Sequence, residues 1–324
     1  MWNGKAIIGR MRLLNLASSA VRAVKHEPTV RRALWRSKRA GTSPANWFSG
    51  VDDEEWMWLH GSKTIKLRPT VASLLPGLPV TSIQEKYTGS SGFTTLWEGF
   101  CVYRLFKRLY EAHVGPIRSS RGILDFGCGW GRTIRFFLKD VTPEKLTGVD
   151  HSEEAIQCCK ETNKWCNFIL IGPRPPTPLA SQSFDLIYLY SVFSHLPEEM
   201  HWSLVKEFHR LLAPGGLLIA TAWRRKFIEY CRTLRADPEL DKKPAWVKWW
   251  ATNFLDTDGT LAAYDRGEFC FSGYGAKSEW SFWGEACIPK AYVENHWSRI
   301  FDICDYIDDD KVCEQSVIVA RKPI

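Results

Sequence analysis

Three glycines stand at alternate positions in the stretch GILDFGCGWGRTIRFF: Gly127, Gly129 and Gly131, led by the acid Asp125. Backbone without side chains at this spacing lets a ligand lie flat against the chain, where any Cβ would obstruct it. Two ligands are excluded. A dinucleotide fingerprint needs G-x-G-x-x-G, but Arg132 stands where its last glycine would be, and the G-x-x-x-x-G-K-[ST] phosphate loop is absent. A second acid, Asp150, ends the apolar run LTGVD. Glu268 and Glu285 lie among aromatics in YDRGEFCFSGYG and EWSFWGEACIP. Burial there would raise a carboxyl pKa, suiting either residue to orient substrate hydroxyls or to act as a base. No cluster of His and carboxylates has metal-ligand spacing, so no metal is expected.

The elements that must position these residues follow from the pattern of apolar runs. GILDF reads as a strand, GRTIRFFLKD as a helix, KLTGVD as a strand ending in acid, and SEEAIQCCKETN as a helix capped by Ser152 with acids in its first turn. NFILI and FDLIYLY are further strands, PEEMHWSLVKEFHRLLA a helix opened by Pro197, and GLLIATA a fifth strand after Pro214-Gly215-Gly216. This alternation implies a doubly wound parallel α/β sheet, in which ligands bind beyond the carboxyl ends of the strands where strand order reverses. The glycine loop lies at the carboxyl end of the first strand.

Asp125-x-Gly-x-Gly-x-Gly followed by Asp150 resembles the class I S-adenosylmethionine-dependent methyltransferases over roughly residues 120–222 and the last strands. The resemblance implies a mostly parallel seven-stranded Rossmann-like sheet with an antiparallel closing strand formed by RIFDICDYID and QSVIVARK. It implies S-adenosylmethionine as cofactor, with Asp125 accepting from its ammonium group and Asp150 from both ribose hydroxyls. Gly127, Cys128, Gly129 and Gly131 line that cofactor, joined by His151 after Asp150. SFDLIYLYSVFSHLPEEM resembles the family's fourth motif, which makes Tyr190, Ser191, Val192 and His195 candidates at the cofactor and substrate. His195 reads either as a general base or as a capping or packing histidine. The stretch IGPRPPTPLASQ has no acid to read an adenine amino group, which leaves that contact to backbone and apolar groups around residues 172–178. Upstream, EKYTGSSG places Tyr87 where relatives close an N-terminal segment over the cofactor.

The implied reaction is in-line transfer of a methyl group, to which orientation alone contributes on the order of 7 to 11 kcal/mol. The motif arrangement is similar to methyltransferases of surface-glycan and secondary-metabolite pathways. That makes O-methylation of a sugar or other small hydroxylated acceptor the leading expectation. Alternatives are N-methylation of a small molecule or protein side chain, and a non-catalytic cofactor-fold subunit.

The 324 residues divide, on this reading, into a basic helical N-terminal extension or lid (1–95) and a methyltransferase domain (96–324). Residues 223–297 form an inserted substrate lid rich in aromatics, holding seven of the sixteen tryptophans. Residues 1–40 contain ten Lys or Arg against Glu27 alone, a net of +9, which against a total of +7 leaves −2 on the remainder. The body therefore has no gross nucleic-acid signature, and the expected partners are a small-molecule or glycan substrate and no specific nucleic acid. Residues 1–40 read as a solvated helical face, as a dock for an acidic membrane or polymer surface, or as an Arg-rich, acid-poor transit segment. No apolar stretch approaches the roughly 18 to 20 residues of a membrane span. The ten cysteines, without zinc-ribbon spacing, read as reduced thiols of a cytoplasmic protein.

Overall fold

The computed structural model describes residues 27–39, 42–61, 72–273 and 283–324. Lys5, Arg10, Arg12, Arg22 and Lys25 of the basic arm, and Trp280 of the insertion, lie outside the described residues.

Among the described residues five α-helices precede the sheet: α1 (Glu27–Ser37), α2 (Pro44–Trp47), α3 (Asp53–His60), α4 (Thr81–Thr88) and α5 (Phe93–His113). Asp52 starts α3 by accepting the Glu55 N–H on Oδ1 at 2.8 Å. These helices share a core with the sheet. Trp56 and Phe48 pack in one cluster with Phe100, Phe106, Phe136, Phe137 and Tyr188, and the buried Trp56 indole donates to the Phe136 carbonyl at 2.9 Å.

Next come β1 (Ile123–Phe126), β2 (Leu146–Asp150), β3 (Asn167–Leu170), β4 (Phe184–Leu189), β5 (Leu212–Ala222), a separate ribbon of β6 (Cys270–Gly273) with β7 (Gly284–Cys287), then β8 (Asp302–Ile307) and β9 (Ser316–Arg321). The main sheet has the order β3-β2-β1-β4-β5-β9-β8. The pairs β1–β2, β2–β3, β1–β4 and β4–β5 are parallel, while β9 runs antiparallel to both β5 and β8. β1 and β2 are buried at every residue, as central strands covered on both faces must be. Order reverses between β1 and β4, so the loops after these two strands flank the crevice.

Helix α6 (Glu153–Thr162) follows β2, with Ser152 Oγ accepting the Ala155 N–H at 3.3 Å and Glu153 and Glu154 in its first turn. Helix α7 (Glu198–Leu211) follows Pro197 and buries Met200, Leu204, Val205 and Phe208 against the other face. Two sequence expectations shift. Ile134–Lys139 winds as a 3₁₀ helix: Ile134, Arg135, Phe136, Phe137 and Leu138 are all buried, so the segment has no polar stripe of the kind a surface α-helix shows. Strand β5 begins at Leu212, before the Pro-Gly-Gly turn, because Leu212 already pairs with Phe184 across a register irregularity.

Residues 223–297 hold more than one helix and a hairpin. Arg225–Arg235 (α8), Ala245–Ala251 (α9) and Thr257–Asp265 (α10) are separate, and Lys290–His296 (α11) follows the ribbon. Pro238 lies beyond the end of α8, Pro244 precedes α9, and Asp256 starts α10 by accepting the Gly259 N–H at 3.0 Å. Trp223, Phe227, Ile228, Cys231, Phe254 and Leu261 make this part's own core. All ten cysteines are free thiols.

Candidate functional site

The glycine loop after β1 takes left-handed backbone at all three glycines, with φ of +73° at Gly127, +53° at Gly129 and +73° at Gly131. The Gly127 and Cys128 N–H groups donate to the Val149 carbonyl at 2.8 and 3.0 Å, folding the loop onto the end of β2. Asp150 is buried there; its Oδ2 accepts the Gly129 N–H and its Oδ1 the Ser152 N–H, each at 2.9 Å. A carboxylate has about four lone-pair sites, so both oxygens retain capacity for a ligand. His151 is exposed, its Nδ1 3.5 Å from Asp150 Oδ1.

Asp125 ends up buried beside the Tyr188 hydroxyl, which holds its carboxylate together with the Ile134 backbone. Burial, reinforced by the nearby Asp150 charge, pushes its pKa up to about 7. A buried acid whose charge the site does not fully offset suits a ligand that brings a cation. Tyr87 of α4 lies over the loop: a Cβ built on Gly129 would come to 3.7 Å from its ring. Its hydroxyl lies 2.7 Å from Ser152 Oγ and donates to Glu154 at 3.0 Å, and burial lifts its pKa to about 12. A bare loop, two buried acids and an overlying ring fit a nucleoside with an amino-acid tail.

The acceptor side forms after β4. The Arg132 guanidinium sits 5.2 Å from the Tyr190 ring centroid, itself paired with Glu98 at 2.9 Å. Val192 packs toward the loop, and Ser191 adopts φ +60°, an uncommon value outside glycine, with its N–H donating to Thr221 Oγ1 at 2.8 Å. Gln315 Nε2 donates to Ser191 Oγ at 3.0 Å, while its Oε1 accepts from Thr221 at 2.6 Å. His195 ends the 3₁₀ turn Phe193–His195 and stacks on Trp283 at 4.8 Å and 8°. Its Nδ1 lies 3.1 Å from the Gly284 carbonyl and 3.4 Å from Glu285 Oε2, and its Nε2 lies 3.4 Å from Ser191 Oγ. A carbonyl oxygen can only accept, so Nδ1 carries the proton and Nε2 presents its lone pair.

The two candidate glutamates part company. Glu285, 2% exposed on β7, accepts from the Trp223 indole on Oε2 at 2.6 Å and from the Trp249 and Trp250 indoles on Oε1 at 3.2 and 3.1 Å. Burial raises its pKa, while His195 and the three indoles oppose the rise. Glu268 does not join the site. It lies exposed in the turn before β6, paired with Arg266, whose hydrogen bond lowers its pKa; the aromatics beside it in sequence leave it in solvent. Residues the sequence reading did not single out are Thr221, Gln315 and the indoles of Trp223, Trp249 and Trp250. The loop near residues 172–178 is tied to α7 by Glu207, which accepts from the Thr177 N–H and hydroxyl at 2.9 and 2.7 Å. Among the described residues no group of three or more His, Cys, Asp or Glu is placed to hold a metal ion.

Residues 123–216 match the family model described as "Methyltransferase domain". The chain is 33% identical over 110 residues to tRNA N(3)-methylcytidine methyltransferase trm140 of Schizosaccharomyces pombe, covering 31% of this chain and 36% of that protein. It is 28% identical over 133 residues to trans-aconitate 2-methyltransferase of Delftia acidovorans, covering 41% and 49%. It is 29% identical over 142 residues to tRNA N(3)-cytidine methyltransferase METTL2 of Gallus gallus, covering 39% and 37%. The chain thus spans a third to a half of the length of these relatives. Two of them are named for tRNA, and this overturns the expectation of no specific nucleic-acid partner: a charge balance of −2 outside the arm does not set nucleic acid aside. A neutral body says little here because base recognition can lie in a pocket and need not rest on net charge. With the strand order, the glycine loop and the matched segment in agreement, the chain carries a class I S-adenosylmethionine-dependent methyltransferase domain.

Proposed function

We propose that the chain as a whole catalyses methyl transfer to an acceptor atom that must give up a proton, with His195 as the general base. The observation that carries this reading is the His195 ring itself, fixed by the Gly284 carbonyl on Nδ1 and presenting Nε2 beside Ser191 at the carboxyl end of β4. When bound, adenosylmethionine supplies a methyl group on an electrophilic sulfonium. Asp125, Asp150 and the glycine loop hold it; Ser191, Gln315 and Thr221 shape the wall the acceptor meets; His195 Nε2 takes the acceptor's proton. A hydroxyl gains most from such a base, because it is a poor nucleophile until deprotonated. O-methylation of a hydroxylated acceptor is therefore the first reading. A nitrogen acceptor in RNA is the second, favoured by the two relatives named for tRNA cytidine methylation.

The test is transfer of labelled methyl from the cofactor to cell extract fractionated into glycan, lipid, RNA, protein and small molecules. Label in a ribonuclease-sensitive fraction selects the second reading, and label in no fraction overturns the activity. On the labelled fraction, His195→Gln is expected to lower turnover by about 10²- to 10⁴-fold with cofactor affinity within twofold of the natural chain. Full turnover in that variant removes His195 as the base.

A further inference from the structure

A carbonyl dipole can fix the tautomer of a histidine but cannot offset the full charge the ring gains on taking a proton. Glu285 can, because Oε2 lies 3.4 Å from His195 Nδ1. Its surroundings are unusual for a buried carboxylate: among the described residues no Lys or Arg lies within ion-pairing distance, and its remaining donors are the indole N–H groups of Trp223, at the end of β5, and of Trp249 and Trp250, on α9. An indole N–H donates without titrating and without carrying charge. A lysine or arginine in its place would neutralise the carboxylate and cancel its pull on the imidazole.

We propose that Trp223, Trp249 and Trp250 hold Glu285 as an uncompensated anion, which serves as the charge partner of His195 and makes it a proton acceptor. The inference rests on reading His195 as the base, and it makes Glu285 and the three tryptophans positioning residues contributed by the insertion and the end of β5. Among the described residues, the other ionisable groups facing Glu285 are the thiols of Cys231 on α8 and Cys287 on β7, both pushed upward by burial and so neutral near pH 7. Facing His195 among the described residues are the uncharged Ser191 and Trp283. Among the described residues Glu285 is therefore the source of negative charge at the ring.

The experiment is the titration midpoint of His195 in the full chain carrying ¹⁵N-histidine, its resonance assigned by loss in His195→Gln. Glu285→Gln is expected to lower that midpoint by about one pH unit or more, as removal of an opposite charge at this range should. Because Gln places an amide N–H among indole donors and can fail to fold, the paired variant Trp249→Phe with Trp250→Phe is measured alongside. It keeps both aromatic fillings and the carboxylate while removing two donors, and is expected to lower the midpoint by a smaller amount. An unmoved midpoint in the folded variants overturns the proposal. The outcome is separable from the activity: an unmoved midpoint with turnover still lost in His195→Gln leaves the base reading standing, whereas a moved midpoint with full turnover in His195→Gln keeps the charge pairing and removes the base.

Discussion

Asp125→Asn is expected to be more stable than the natural chain at pH 8, measured by denaturant unfolding without cofactor, and to have lost most of its affinity for S-adenosylmethionine. The carboxyl is buried, and burial outweighs the Tyr188 hydrogen bond and raises its pKa from the ordinary carboxylate range to about 7. The sign follows from linkage. A carboxyl raised on folding contributes its stability below the unfolded pKa, near 4, and that contribution is lost as pH rises toward 7. At pH 8 the folded protein carries a buried charge that Arg132 and the Tyr188 hydroxyl offset only in part, costing as much as about 4 kcal/mol at 1.36 kcal/mol per pH unit. Asparagine has the same shape and no charge. Its advantage should shrink at pH 5, where the natural carboxyl is mostly protonated. Binding should go the other way, because the carboxylate is what a cationic amino-acid tail would pair with. Equal stability of the two proteins from pH 5 to pH 8 would falsify this account of Asp125.

The second large effect is expected at Gly127. Alanine there must adopt φ near +73°, at roughly 1 to 2 kcal/mol, and its Cβ would stand 2.5 Å from Val192 Cγ2, a contact no real pair of carbons sustains. Forced overpacking of this kind typically costs about 1 to 3 kcal/mol. Gly127→Ala should therefore lose about 3 kcal/mol and bind cofactor weakly, since the loop and the residue after Ser191 both have to move. Adding Val192→Ala removes the clash but not the backbone strain. Partial recovery in the double variant is the expected result, and a single variant as stable as the natural chain shows that the close approach is absent.

How far the sequence could be read depended on range along the chain. The glycine loop and Asp150 are legible because short strands and tight turns place them within one βαβ unit, where spacing alone dictates geometry. The same holds for His195, five residues from Tyr190. The helix expected over GRTIRFFLKD fails because helical propensity does not register that five successive side chains are buried. Glu268 and Glu285 show the limit most plainly. Each follows a glycine and has an aromatic residue within two positions, and no local feature separates them. Pairing of β6 with β7 separates them: Glu285 sits within the ribbon opposite Ser272, over the indoles of Trp223, Trp249 and Trp250, whereas Glu268 lies just before it in solvent. Gln315 gives no local signal at all, since its partner Ser191 is 124 residues earlier.

That last contact has a consequence for how the protein is made. Ser191 and Thr221 are in place once β4 and β5 have paired, but Gln315, just ahead of β9, is synthesised 94 residues after Thr221. A nascent chain can thus have a finished cofactor loop while the wall opposite it is still missing a residue. The order of synthesis completes the glycine loop before the Ser191–Thr221–Gln315 contacts.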